Sequence, residues 1–144
     1  MPALHRFELI GRVRREPVFH PRPSGPDLTV AWLVIAEEGK DSAGQHHMGV
    51  VCHRLLVWGT AAERFAQYCR QGTLLYVEGH VFMRYAKGQH QHVITEVVVH
   101  QWLLLEDMTT DQPRQPWMAP LDAWEDQPYE PPVEPDPFWR IRFS

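Results

Sequence analysis

The residues best suited to chemistry are aromatic and basic, and they sit on stretches that read as extended chain. In Val50-Val-Cys-His-Arg-Leu-Leu-Val-Trp58, alternation puts Val51, His53, Leu55 and Val57 on one side and Cys52, Arg54, Leu56 and Trp58 on the other. An indole and a guanidinium on one surface suit a flat heteroaromatic ring with a phosphate nearby. Stacking of a base on an aromatic side chain is generally worth about 1–3 kcal/mol. The competing reading makes Trp58 a large residue that closes a core. Trp32 has the same two readings, sharing a face with Val34. Tyr85 stands at a hairpin end beside Arg84 and Lys87, which favours exposure. Arg6, Arg12, Arg14, Arg15, Arg22, Arg54, Arg84 and Lys87 form no run, but they gather on and around the first and third strands and the hairpin after the fourth.

Other chemistries fit less well. His46, His47, Cys52, His53, His90 and His92 invite a metal, but zinc needs three or four converging ligands. Adjacent Cys52 and His53 point to opposite faces of a strand, so no metal and no other cofactor is expected. The three serines, Ser24, Ser42 and Ser144, lie in loops or at the terminus, and no Gly-rich phosphate loop or nucleophile elbow is present. Glu8, Glu78 and Glu96 read as ion-pair partners. Nothing demands an enzyme.

The elements that must position these residues are mostly strands. Phe7–Val13, Thr29–Ala36, Val50–Trp58, Thr73–Met83 and Gln91–Leu105 are rich in β-branched and aromatic residues. Prolines and Gly25 break the chain between 17 and 26, and 37–49 reads as a polar loop. Thr60-Ala-Ala-Glu63 has the capping-box spacing, Phe65, Tyr68 and Cys69 recur at helical spacing, and Gly72 suits a left-handed helix end. The order is three strands, a short helix and two strands. It fits an all-β five-stranded OB barrel with the helix between strands 3 and 4, or a small α+β sandwich.

Charge divides the 144 residues in two. Residues 1–106 carry +1 and 107–144 carry −5, which together make the net −4. Eight of 13 prolines fall in the second part, so 107–144 reads as a disordered, acidic, Pro-rich tail. A packed arm is the alternative, because Trp117, Trp124, Phe138 and Trp139 are apolar for a free tail. No stretch approaches the length of a membrane span, and residues 1–6 lack a signal-peptide core. Two cysteines make no disulfide framework, which points to a reducing, cytoplasmic compartment.

Eight fragments then come in the order and spacing of a known family. They are His5-Arg-Phe-Glu-Leu-Ile-Gly-Arg-Val13, Glu16-Pro-Val-Phe, Pro23-Ser-Gly25, Glu38 to Gly44, His53-Arg-Leu-Leu-Val-Trp-Gly59, Ala62-Glu through Tyr68, Gly72 to Gly79, and Thr95-Glu-Val-Val-Val99. Over roughly 4–106 the chain resembles the bacterial single-stranded DNA-binding proteins. The resemblance implies an OB-fold domain over 1–106 that wraps single-stranded DNA without sequence preference. It also implies a homo-oligomer, a tetramer or a dimer, acting in replication, recombination or repair. Trp58 and Tyr85 match stacking positions and Arg54 a basic position of the binding face. Arg6 and Arg12 match basic or polar positions of the first strand, and His53 resembles a subunit-interface residue. Trp32, Arg84 and Lys87 complete the expected DNA-contacting set.

The departures matter. Cys52 replaces a stacking tryptophan, and Trp32, where the family carries a small polar residue, is expected to substitute for it in part. Asp136, Pro137 and Phe138 resemble the family's tip, which docks replication and repair proteins. Here Trp139-Arg-Ile-Arg-Phe-Ser144 follows it, so the charge that an arginine pocket grips is displaced from Phe138. Arg140 and Arg142 are placed to pair with the acidic tail or with DNA. Two alternatives remain: an OB-fold subunit of a primosome-like assembly that grips protein, and a His/Cys metal-binding protein.

Overall fold

The computed structural model describes residues 6–86, 89–106 and 129–140. Its elements are β1 (Phe7–Val13), β2 (Val18–His20), β3 (Leu28–Lys40), β4 (His46–Trp58), α1 (Ala61–Tyr68), β5 (Leu74–Ala86) and β6 (Gln89–Glu106). The strands lie in the order β1-β5-β6-β4-β3-β2, and β1 also pairs with β3 through Arg12↔Val34 and Val13↔Leu33. That second pairing closes the five long strands into a ring. All pairings are antiparallel except β4 with β6, which meet in parallel at Leu55↔Val97 and Leu56↔Val98. A ring of five strands with a helix between the third and fourth long ones is the OB arrangement.

Alternation along the strands fills the ring. Leu9, Val13, Ala31, Leu33, Leu55, Val57, Leu75, Val77, Val97 and Val99 point inward, and Phe65 and Cys69 join them from the helical side. Phe65 is wholly buried and meets Trp102 edge-on at 5.3 Å. The Thr29 hydroxyl donates to the Ala62 carbonyl at 2.6 Å, pinning α1 to β3. A second apolar cluster lies on the other side of β3 and β4, made of Leu28, Val30, Trp32, Leu56, Trp58 and Val98.

Four local features differ from the sequence reading. The proline-punctuated loop holds β2, three residues paired with Leu28–Val30, so the sheet has six strands. The segment 37–49 is largely ladder, since β3 runs to Lys40 and β4 starts at His46. Asp41 makes that turn, its Oδ1 accepting the N–H groups of Ala43 and Gln45. His47 at 2.7 Å, with these backbone donors, holds the Asp41 carboxyl below its ordinary range. The capping box does not form: Thr60 is already helical (φ −65°, ψ −23°) and its hydroxyl caps nothing. Gly59 (φ +84°) turns the chain instead, and its carbonyl accepts the first helical bond, from Ala62. Gly72 serves the turn before β5 rather than the helix end, which falls at Cys69.

The tail divides. Residues 107–128 and 141–144 lie outside the described residues, and with them Trp117, Trp124 and Arg142. Residues 129–140 pack on the sheet, where Tyr129 and Trp139 rest against the second apolar cluster. For this segment the packed arm, not the free tail, describes the chain. The reason is the apolar and aromatic content that sets it apart from an ordinary acidic tail.

Two glycines permit ring closure. A Cβ on Gly11 would overlap the Val34 carbonyl oxygen, where β1 reaches β3. One on Gly79 would overlap the Val98 carbonyl at the bulge where β5 bends from β1. Both obstacles are backbone and cannot swing aside. Gly79→Ala is therefore expected to lower stability by about 1–3 kcal/mol, read as a fall in the urea midpoint with the slope unchanged.

Candidate nucleic-acid interface

The register of β3 on β4 builds one continuous outer face. Leu28↔Trp58, Val30↔Leu56, Trp32↔Arg54 and Val34↔Cys52 are cross-strand pairs, and all lie on the side away from the ring's interior. The parallel pair Leu56↔Val98 extends this face to β6, and His80↔Val98 and Phe82↔Glu96 extend it to β5. Trp58, Trp32 and Arg54 are thereby brought together.

None of the three is bare. Trp32 is 4% exposed and Trp58 5%. The Arg15 guanidinium lies 3.6 Å from the centre of the Trp32 ring, and that of Arg22 5.4 Å from Trp58. Such contacts are cation–π in character. Arg54 lies 3.7 Å from the centre of the Tyr129 ring, and burial lowers its pKa from the ordinary arginine value. Trp32 is therefore a buried platform beneath an arginine. Its replacement by alanine would remove a buried ring and so cost stability as well as contact area.

A buried polar knot anchors the middle of the face. Glu96 is 1% exposed and accepts from Arg84 Nε at 2.6 Å and from the Tyr129 hydroxyl. Burial, then the Glu96 charge, raises the Tyr129 pKa and keeps the phenol protonated as a donor. Burial works against the Arg84 charge, but the Glu96 carboxylate outweighs it and raises that pKa. Arg84 also donates to the Glu130 carbonyl at 2.7 Å. Tyr85, next along β5 and so on the opposite face of the strand from Arg84, is 62% exposed and is not brought together with Trp58.

The arm 129–140 continues along the face. Arg22 donates to the Val133 and Pro132 carbonyls at 2.5 and 2.6 Å. Asp136 is buried at 2.6 Å from His80 Nε2, and His80 Nδ1 meets His100 Nε2 at 2.5 Å. The Trp139 ring rests on Gly59 and closes one wall of a cleft of about 750 Å³ that Trp58, His100 and Arg140 also line. Of the expected docking tip, Asp136 thus turns inward, while Pro137 and Phe138 stay exposed, Phe138 at 56%.

Other expected site residues lie elsewhere. Arg6 pairs with Glu8 at 3.3 Å and Glu78 at 3.1 Å, and Arg12 binds the Gly72 carbonyl at 3.0 Å and Glu106 at 3.5 Å. Both belong to the β1–β5–β6 side of the ring, not to the strands of Trp58. His53 points away from Trp58, its ring edge-on to Phe7 at 5.8 Å. Lys87 lies outside the described residues, as do the side chains of His90 and His92. Of the metal candidates, His47 is bound to Asp41. Sequence reasoning missed Glu96, Tyr129, His80 and His100 as parts of this face. Glu96 was expected to pair with an arginine, and Arg84 is that arginine, while the period-2 pattern of β6 could also have placed it beside Val98 on this face.

Removing one partner of a buried ion pair strands the other. Glu96→Gln is expected to cost about 3 kcal/mol at neutral pH. Chemical denaturation of the full chain measures it, and a loss under 1 kcal/mol would mean that the pair is solvated.

Comparison with known proteins agrees with this geometry. The model of the single-strand binding protein family matches residues 4–105. Single-stranded DNA-binding protein 2 of Streptococcus agalactiae serotype III (strain NEM316) is 30% identical over 108 residues, covering 74% of this chain and 81% of that protein. Single-stranded DNA-binding protein 1 of Chlorobaculum tepidum is 31% identical over 82 residues, 57% of this chain and 51% of its own. Among solved structures, the Plasmodium falciparum SSB complex with ssDNA superposes with a TM-score of 0.67 at 24% identity, covering 74% of this chain and 98% of that one. The wild-type Thermus aquaticus single-stranded DNA binding protein gives 0.63 at 24% identity over 72% of this chain, which spans only 50% of it. With the OB ring, the aromatic and basic outer face and a family match over nearly all of the strand-rich body, this chain belongs to the single-strand binding protein family.

Proposed function

We propose that the chain binds single-stranded DNA without sequence preference, along the outer face of β3, β4, β6 and β5, and protects it during replication, recombination or repair. The observation that carries this reading is the cross-strand pair Trp32↔Arg54, four residues from Trp58 on the same face. Bases stack on Trp58, with Trp32 as a platform behind it, and on Tyr85 where the strand passes round the β5–β6 ribbon to its other face. Arg54, Arg84 and Lys87 hold phosphates, and Arg6 and Arg12 serve a strand that continues round the ring. Because every base has a π-face and phosphates carry no sequence, such a surface takes any sequence. The protein acts by binding rather than catalysis, with no cofactor, in the cytoplasm.

The domain over 1–106 carries DNA and the tail over 107–144 serves regulation and partners. Assembly is through copies of the chain, as a tetramer or a dimer. The exposed Ile10 (56%) and Leu103 (58%), which flank Tyr76 across β1, β5 and β6, support this, as does His53 set apart from the DNA face. Docking of replication or repair proteins by the tip would use Pro137 and Phe138, with Asp136 freed from His80.

Titration of the full chain with oligo-dT across a salt series tests the reading. Tryptophan emission is expected to be quenched, with the logarithm of affinity falling linearly in the logarithm of salt. Tyr85→Ala, at an exposed position, is expected to weaken binding by about 1 kcal/mol. Arg54→Ala is expected to flatten the salt slope by about 0.7, the share of one phosphate contact on a single strand. Salt-independent binding without quenching would instead favour a protein-binding OB surface.

A further inference from the structure

We propose that Arg15, seated on the Trp32 ring, is a nucleic-acid contact in its own right: its guanidinium carries a base on its open face and offers its N–H edge to a phosphate. The proposal rests on the DNA reading of the outer face and adds a residue outside the set expected to touch DNA. Its ground is that Arg15 is anchored, exposed and uncommitted, whereas the neighbouring arginines are engaged. The Arg15 Cζ lies 3.6 Å from the centre of the Trp32 ring, which is van der Waals contact. One side of the guanidinium thus covers the indole, which is left only 4% exposed, and Arg15 itself is exposed to solvent. Among the described residues Arg15 has no hydrogen bond and no carboxylate partner. Arg22 differs: it stands 5.4 Å from Trp58, and its terminal nitrogens donate to the Val133 and Pro132 carbonyls. Arg84 is likewise taken up by Glu96 and the Glu130 carbonyl.

The surrounding chain fixes Arg15 where it is. β1 reaches β3 at Arg12↔Val34 and Val13↔Leu33, and the Arg14 N–H continues that contact by donating to the Trp32 carbonyl at 2.7 Å. Arg15 is the next residue, so it leaves the sheet beside the ring it covers. The Gln71 side-chain amide donates to the Arg14 carbonyl at 3.3 Å. On the other flank, Glu16 is turned away: its carboxylate accepts from Arg70 Nε at 2.8 Å and from the Gln71 N–H at 3.2 Å. The nearest carboxylate in sequence therefore serves the turn before β5 and leaves the Arg15 charge uncompensated. With both flanking residues tied down, less freedom is lost when a ligand lands on Arg15.

A guanidinium suits this place because it is flat, delocalised and weakly hydrated. Indole below and base above would sandwich the cation between two π-faces, each of which attracts it. Its in-plane N–H donors stay free to grip phosphate oxygens. A lysine would keep the charge but supply no plane for a base.

Titration of the full chain with oligo-dT across a salt series, for the wild type, Arg15→Lys and Arg15→Ala, tests this. Native fold is checked by circular dichroism and the urea midpoint. Arg15→Lys is expected to weaken binding about fivefold with the salt slope unchanged, since the charge stays and the plane is lost. Arg15→Ala is expected to lose at least as much and to flatten the slope by about 0.7. Full affinity in Arg15→Lys overturns the proposal, because charge alone then suffices. Unchanged affinity in Arg15→Ala with a lowered urea midpoint also overturns it, leaving Arg15 as a cover that shields Trp32 from water. A wild type that does not bind oligo-dT at all sinks the DNA reading itself, and this proposal with it.

Discussion

Everything on the outer aromatic and basic face depends on the register in which β3 lies on β4. Because side chains alternate, that register puts Leu28, Val30, Trp32, Cys52, Arg54, Leu56 and Trp58 outward together, and Ala31, Leu33, Leu55 and Val57 inward together. A slip of one residue would send Trp58 and Trp32 into the ring and the small aliphatic residues out. The pairing is held by thirteen matched positions from Leu28↔Trp58 to Lys40↔His46, so no such slip is available without losing both apolar clusters. The parallel pairing of β4 with β6, and the antiparallel pairing of β6 with β5, then widen two strands into a four-strand surface.

On that surface the polar chemistry is organised around a single buried carboxylate. Glu96 fixes the Arg84 side chain, and Arg84 and Tyr129 in turn satisfy Glu96, so the charge is compensated inside a largely apolar setting. Arg54 lies within the same electrostatic neighbourhood, since its pKa is lowered by burial while Tyr129 and Glu96 act to raise it. A guanidinium held in so dry a place interacts with an incoming anion more strongly than one in bulk water would. Arg6 and Arg12, which lie at the other side, are already engaged with Glu8, Glu78 and Glu106.

The ring was legible in the amino-acid pattern because its strands are half-buried and alternate, and the helix because Phe65 and Cys69 repeat at its period. The face around Trp58 and Arg54 was legible for the same reason. What escaped depends on partners far away in sequence. β2 is three residues between prolines and is defined only by its pairing with Leu28–Val30. The ladder over 37–49 is polar, so no apolar alternation announces it, and backbone pairing plus the Asp41 turn hold it. The box at Thr60 and Glu63 had the right spacing, but the chain enters α1 through Gly59 in a helical bend that leaves the hydroxyl idle. Tyr129 and Asp136 have no local signal at all, since their partners Glu96 and His80 are 33 and 56 positions distant.

Beyond the ring, β3–β4 and β5–β6 continue as ribbons only two strands wide. Met83, Tyr85 and Val93 on one, and Val51 on the other, stand well out in solvent. An isolated pair of strands is marginal in water, so these ends open at far lower cost than the closed girdle to which they are attached. The molecule is thus a stiff hub carrying two compliant fingers. A polymer without fixed shape can be followed by fingers that adjust to its path, while the hub keeps the spacing between its anchoring rings constant.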